Sequence, residues 1–288
     1  MSWGRLALAY GWKVGGLPSD AAEEARAAAL SAARRALDLD PQNEDAHVLK
    51  VMEARPTTLI ARDRGLAEIV ARFPKHQAAN MVRAGFLTSV GRTREAVSCA
   101  EVAAKHSNGP YTAMWWSLNL HADGQQDEAD AVIDEAFDLW PRHYAIWFTR
   151  YKNLAFSNPA AAAAKMVADV SKRPTGVPER NFALCAIEAQ ALGSRDPADI
   201  AKAMDEHMHF SRVGAGFVMN AIGFASAVGM LDIAFKLADA FYFNRGFKVG
   251  ERRYTDEQGL FLKLQDRPRW FLFLPNVTAM RADHGSLN

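Results

Sequence analysis

The chain carries an internal period, and this limits its fold more than any other feature. Five stretches place a small or turn-forming residue five positions before an alanine: Gly91 and Ala96, Gly124 and Ala129, Asn158 and Ala163, Gly193 and Ala198, Gly229 and Ala234. The turn positions are 33, 34, 35 and 36 residues apart. Prolines at 41, 74, 141 and 174 keep the same beat, with gaps of 33, 67 and 33. Two independent markers on one period point to a stacked array of like units rather than one globular core. A unit this short cannot bury its apolar face alone, so neighbours must lean on one another.

The chemistry of one period reads as helix, turn, helix. Glycine accepts the left-handed backbone that commonly ends a helix. An acidic residue just past the turn complements the positive end of the next helix. An early alanine lets the partner helix come close, and proline then stops the helix because it cannot continue the hydrogen-bond ladder. This pattern predicts helices over 2–14, 21–39, 44–54, 58–72, 76–89, 93–106, 110–122, 126–139, 143–156 and 159–172. Four more are expected over 178–192, 196–210, 214–228 and 231–243. Asp20 with Glu23 three residues on forms a capping box for the second helix. The segment 159–172 is alanine-dominated, with good helix propensity and little core volume. Neither strand alternation nor a Gly/Ser linker is present. One all-α solenoid over 1–243 therefore accounts for the chain better than two globular domains, although 288 residues would suffice for two.

Gly124-Gln-Gln-Asp-Glu-Ala-Asp-Ala-Val-Ile-Asp-Glu-Ala-Phe-Asp-Leu-Trp-Pro141 resembles the second half of a tetratricopeptide repeat. Ala25 to Pro41, ending Ala36-Leu-Asp-Leu-Asp-Pro41, is similar to the same motif, and Trp147 falls where the next repeat's leading aromatic would sit. The resemblance spans residues 20–243 and is strongest in the repeats ending at Pro41 and Pro141. Arg83-Ala84 and Trp116-Ser117 stand where the family has a Leu-Gly pair. It implies a right-handed superhelical solenoid of about six to seven antiparallel helix pairs, with first helices lining the concave face.

Carried over by resemblance, the family's inward positions fall on Met81 and Gly85, then Tyr111, Met114, Leu118 and His121. Phe148 and Lys152 follow, then Arg180, Ile187 and Gln190, and lastly Met219. Packing between repeats would account for any one of them. As a set they describe an apolar, methionine-containing groove able to adapt to its ligand. The Lys/Asn/Arg group with which some tetratricopeptide domains clamp a terminal carboxylate is missing. The expected ligand is then an extended or helical peptide with apolar anchors. The implied function is a non-catalytic interaction scaffold that binds a peptide segment of a partner protein, with self-association left open.

Composition trims the alternatives. Thirty-four basic and 33 acidic residues give a net charge of +1, so nucleic acid is not an expected partner. Cys99 and Cys185 are too few for a disulfide framework and lack metal-ligand spacing. Both fall in helical patterns and read as small buried hydrophobes. No apolar run approaches the roughly 20 residues of a membrane span, and the start of the chain makes a poor signal peptide. A cytoplasmic protein is expected, with no cofactor. Phosphate-binding loops, zincin motifs and nucleophile elbows are missing from the sequence. His207-Met-His209 beside Asp205 and Glu206 reads as a solvated helix end rather than a metal site, because residues two apart on a helix point to different sides.

The last 45 residues, 244–288, break the period. A charged loop leads to Gly259-Leu-Phe-Leu-Lys-Leu264 and Trp270-Phe-Leu-Phe-Leu-Pro275. Solenoids need terminal caps, so the tail reads as a cap; the alternative is a segment competing for the groove. The ending through Met280-Arg-Ala-Asp283 also resembles the close of the repeat halves attached to bacterial winged-helix regulators and nucleotide cyclases. That adds a second expectation, the ligand-sensing half of a bacterial signalling regulator. An enzyme on a helical-repeat scaffold is the third.

Overall fold

A computed structural model of the chain describes residues 2–14, 19–54, 59–107, 109–156, 161–213, 215–243 and 246–248. Among these residues the secondary structure is entirely helical. The first seven helices are α1 (Trp3–Val14), α2 (Ser19–Leu39), α3 (Glu44–Glu53), α4 (Leu59–Arg72), α5 (Gln77–Ser89), α6 (Thr93–Lys105) and α7 (Pro110–Asp123). There follow α8 (Gln126–Leu139), α9 (Tyr144–Phe156), α10 (Ala161–Ala168), α11 (Glu179–Ser194), α12 (Pro197–Val213), α13 (Ala215–Ala227) and α14 (Leu231–Phe243). A 3-10 turn, Val170–Lys172, follows α10.

Two kinds of joint alternate. Within a pair, Gly91, Gly124 and Gly229 take left-handed φ values of 87°, 83° and 81°. At each, the next N–H reaches five residues back: Arg92 to the Leu87 carbonyl at 2.9 Å, Gln125 to Leu120 at 3.0 Å, Met230 to Ala225 at 2.8 Å. This satisfies carbonyls that the helix end leaves open and turns the chain sharply. Between pairs, the turns Asp40–Asn43, Phe73–His76 and Trp140–His143 each close with a 3.0 Å bond from the fourth N–H to the first carbonyl. Proline is second in all three, where its fixed φ suits the turn. Asn43 and His76 then accept the Ala46 and Ala79 N–H groups at 3.1 and 3.3 Å, starting α3 and α5.

The alanine marker has a packing basis. Ala96, Ala129 and Ala163 are fully buried. The Ser117 hydroxyl of α7 donates to the Ala129 carbonyl of α8 at 3.0 Å, a contact that needs small residues between the helices.

Three local expectations shift. Gly193 is not the turn residue: α11 continues to Ser194, and Arg195 takes the left-handed conformation at φ 56°. Five positions beyond it lies half-buried Ile200, while Ala198 is exposed. The helix expected over 159–172 stops at Ala168, because the Asp169 carboxylate takes the Ser171 N–H at 3.2 Å and its hydroxyl at 2.6 Å. The second helix begins at Ser19, which places Asp20 inside its first turn instead of at the cap.

Consecutive helices pack along the whole chain. Each odd-numbered helix from α1 to α9 also packs on the next odd-numbered one, whereas even-numbered helices make no comparable contacts with each other among the described residues. Closer spacing in one layer curves the stack, so the odd-numbered helices form the inner layer. Among the described residues no helix is long and apolar enough to cross a membrane.

The core is uneven along the stack. From Ile133 to Phe241 the buried apolar side chains form one continuous cluster that includes Trp147, Tyr151, Phe182 and Phe224. The earlier helices hold three separate clusters, built around Ala29 and Leu49, Val48 and Ile69, and Leu66 and Leu87.

Candidate functional site

The inner layer carries an aromatic strip where α7, α9 and α11 begin. The turn ending at His143 sets Tyr144 at the first position of α9, as the start at Pro110 sets Tyr111 at the second position of α7. Both phenols are open, Tyr111 at 55% exposure and Tyr144 at 58%. The Tyr111 ring meets the His143 ring edge-on at 5.2 Å, and Tyr144 lies 5.0 Å from Phe148. Phe148 is half-buried, stacks on Phe182 at 6.2 Å and packs against the main core, as half-buried Met114 does. Partly exposed rings backed by the main core present an apolar surface at this end of the inner layer.

The other expected groove positions divide into two groups. Ile187 and Met219 are half-buried, while Arg180 and Gln190 are exposed. Gln190 donates to Asp199 at 3.1 Å. Together with Ala186, Ile187 and Lys202 these two line an open recess of about 180 Å3 between α11 and α12. Met81, Gly85 and Leu118, by contrast, are buried in the packing between helices. His121 is buried too: its Nε2 lies 3.5 Å from Asp130 and 3.4 Å from the Gln126 amide. Burial pushes its imidazole below the ordinary histidine range, against the pull of Asp130.

Lys152 turns inward. Its Nζ lies 2.8 Å from Glu188 Oε1, and the two side chains are 9% and 2% exposed. Tyr151 Oη sits 2.9 Å from the same carboxylate oxygen and 2.8 Å from the Cys185 carbonyl, so its single O–H serves two acceptors. On the other side, His207 Nε2 of α12 approaches Glu188 Oε2 at 2.9 Å, and the imidazole stacks on Phe224 at 4.8 Å. Glu188 thus ties α9, α11 and α12 together. Burial opposes its charge, but Lys152 and His207 outweigh that and hold the carboxyl at about 2. Burial and the Glu188 charge together push the Cys185 thiol up to about 12, which suits a packing role.

This overturns the reading of His207 as part of a solvated helix end. His207 is fully buried and only His209 of that trio faces solvent, because the helix runs on to Val213 and turns position 207 toward α11. Sequence reasoning also missed Tyr144 and Glu188. Tyr144 could have been found, since it lies 33 residues after Tyr111, one period on. Glu188 gave no such signal: it is one acid among many, and its partners come from other helices.

No protein-family model and no curated protein matches the sequence. Solved structures do resemble the fold. A tetratricopeptide repeat protein from Parabacteroides merdae superposes with a TM-score of 0.53 at 12% identity, covering 92% of this chain and 98% of its own. The TPR domain of P58(IPK) aligns over 99% of both chains at 12% identity, but with a TM-score of 0.21, too low to bear on the fold. Helix order, joints and the first of these likenesses lead to one conclusion: the chain folds as a tetratricopeptide-like α-solenoid.

Proposed function

We propose that this solenoid is a non-catalytic interaction scaffold that holds an apolar peptide segment of a partner protein across its inner layer. The observation that carries this reading is the open pair Tyr111 and Tyr144, seated beside half-buried Met114 and Phe148. Tyrosine offers a large, stiff, amphipathic surface, and such residues dominate the energetics of interfaces. The inward-facing Lys152 and His121 leave the strip without a dense charge of either sign, which favours apolar anchors over a carboxylate. Arg180, in the first turn of α11, is exposed.

A displayed random-peptide library tests the reading. Peptides with aromatic or aliphatic anchors should be selected by the natural chain. They should lose at least about tenfold in affinity, about 1.4 kcal/mol, on the Tyr111→Ala/Tyr144→Ala variant. Both side chains are more than half exposed, so the variant should fold. Selected peptides that bind both proteins equally would show that the strip is not the site.

A further inference from the structure

The last helix among the described residues, α14, has an interior counterpart in α8. Both leave the same joint, two residues after Gly124 and Gly229, so their residues correspond at an offset of 105. On α8, Asp130 accepts the Asn153 amide of α9 at 3.1 Å, and Asp134 pairs with Arg150 of α9 at 2.7 Å. The Arg150 guanidinium also lies over the Phe137 ring at 4.3 Å. This is therefore the face that receives the next odd-numbered helix. In the same register α14 presents Phe235 in place of Asp130 and Leu231 in place of Gln126, 59% and 43% exposed. Ala238 is half-buried where its counterpart Ile133 is 1% exposed. The receiving face is present and uncovered among the described residues, with apolar side chains where α8 has Gln126 and Asp130 and with exposed Asp239 at the Asp134 position.

The chain itself leads back to this end. Beyond α14, Phe247 packs against the main core, and the Arg212 guanidinium of α12 lies over its ring at 4.9 Å. Gly259 lies 11 residue steps beyond Lys248, a reach of up to about 36 Å when extended. A 13-residue helix such as α14 is only about 20 Å long. The apolar runs Gly259–Leu264 and Trp270–Pro275 come directly after and lie outside the described residues. We infer that residues 259–275 of the same chain cover the Leu231, Phe235 and Ala238 face of α14 and close the solenoid.

Hydrogen–deuterium exchange on the full chain tests this. Amides of 259–275 should exchange at least about tenfold more slowly than an unstructured peptide of that sequence. Phe235→Asp should return them to the unstructured rate while α9 and α11 keep their protection. Trp270→Ser/Phe271→Ser, altered on the other side of the contact, should speed exchange in the outer turns of α14. Unstructured exchange of the segment in the natural chain would overturn the inference. Protection that survives Phe235→Asp would do the same. Protection that scales with protein concentration would assign the face to a second copy, and protection lost in Tyr111→Ala/Tyr144→Ala would place the segment in the groove; either result overturns it.

Discussion

The two ends of this solenoid share a backbone plan but not an interior. Helices α1 to α6 pack largely through alanine, in three separate clusters whose bulky members are Leu49 in one, Leu66, Phe86 and Leu87 in the second, and Val48, Ile69 and Phe73 in the third. From α8 onward, Trp147, Tyr151, Phe182 and Phe224 bridge successive pairs, and the Glu188 cluster adds a polar tie across three helices. The same two kinds of joint occur in both halves, Gly91 and the turns at Pro41 and Pro74 in one, Gly124, Gly229 and the turn at Pro141 in the other, so the period does not determine how far apolar contact runs along the stack. Side-chain size does. A small residue reaches only its partner helix, whereas a large ring at the same position touches the neighbouring pair as well. The open rings of Tyr111 and Tyr144 stand on the continuous half, with Met114 and Phe148 packed against its core.

With this contrast, damage to one half should stay there. The largest effect is expected from Lys152→Met, which takes the ammonium partner from the buried Glu188 carboxylate at a cost of about 3–5 kcal/mol. Exchange should accelerate in α9 to α12 and spare α1 to α6; equal loss in α1 to α6 would mean that the stack unfolds as one unit. The same cluster sets an acid limit. Glu188 has a folded value of about 2 against an ordinary 4.5, so its stabilisation is complete above 4.5 and is lost as pH falls from there through 2. Thermal melts between pH 5 and 2 should show this loss in the natural chain and less of it in Glu188→Gln.

Leu87→Ala should cost about 2–5 kcal/mol, with faster exchange confined to α4 to α6. Spread into α9 and beyond would erase the distinction between the halves. Ala129→Phe forces a ring between α7 and α8 at the margin of the continuous core and should cost about 1–3 kcal/mol in urea unfolding. An unchanged midpoint would show that the alanine position tolerates bulk and is not a packing marker. Smallest is Asn43→Ala, which removes the cap of α3 and should cost about 1 kcal/mol, read as local fraying in the amides of α3.

Much of the fold was legible because turn chemistry is local. Glycine, proline and the early alanine act within a few residues of where they stand, and all fourteen expected helices are present among the described residues. The shifts at Asp169 and Arg195 also have local causes, a side-chain cap in one case and a non-glycine left-handed residue in the other. The candidate site was harder to read. The resemblance to the tetratricopeptide repeat implies which positions face inward, and it singled out Tyr111, Met114 and Phe148. It does not reveal that Lys152 meets an acid 36 residues away, or that His121 is enclosed by the next helix. Such pairings depend on how neighbouring units are rotated against each other, and no single period carries that information.

The matched joints at Gly91, Gly124 and Gly229 have an evolutionary consequence. Because chain direction and bonding are the same at each, DNA encoding the stretch between any two could be duplicated or deleted and the cut ends would still splice in register. A lineage carrying this gene could lengthen or shorten the inner layer by whole modules without inventing a new hinge.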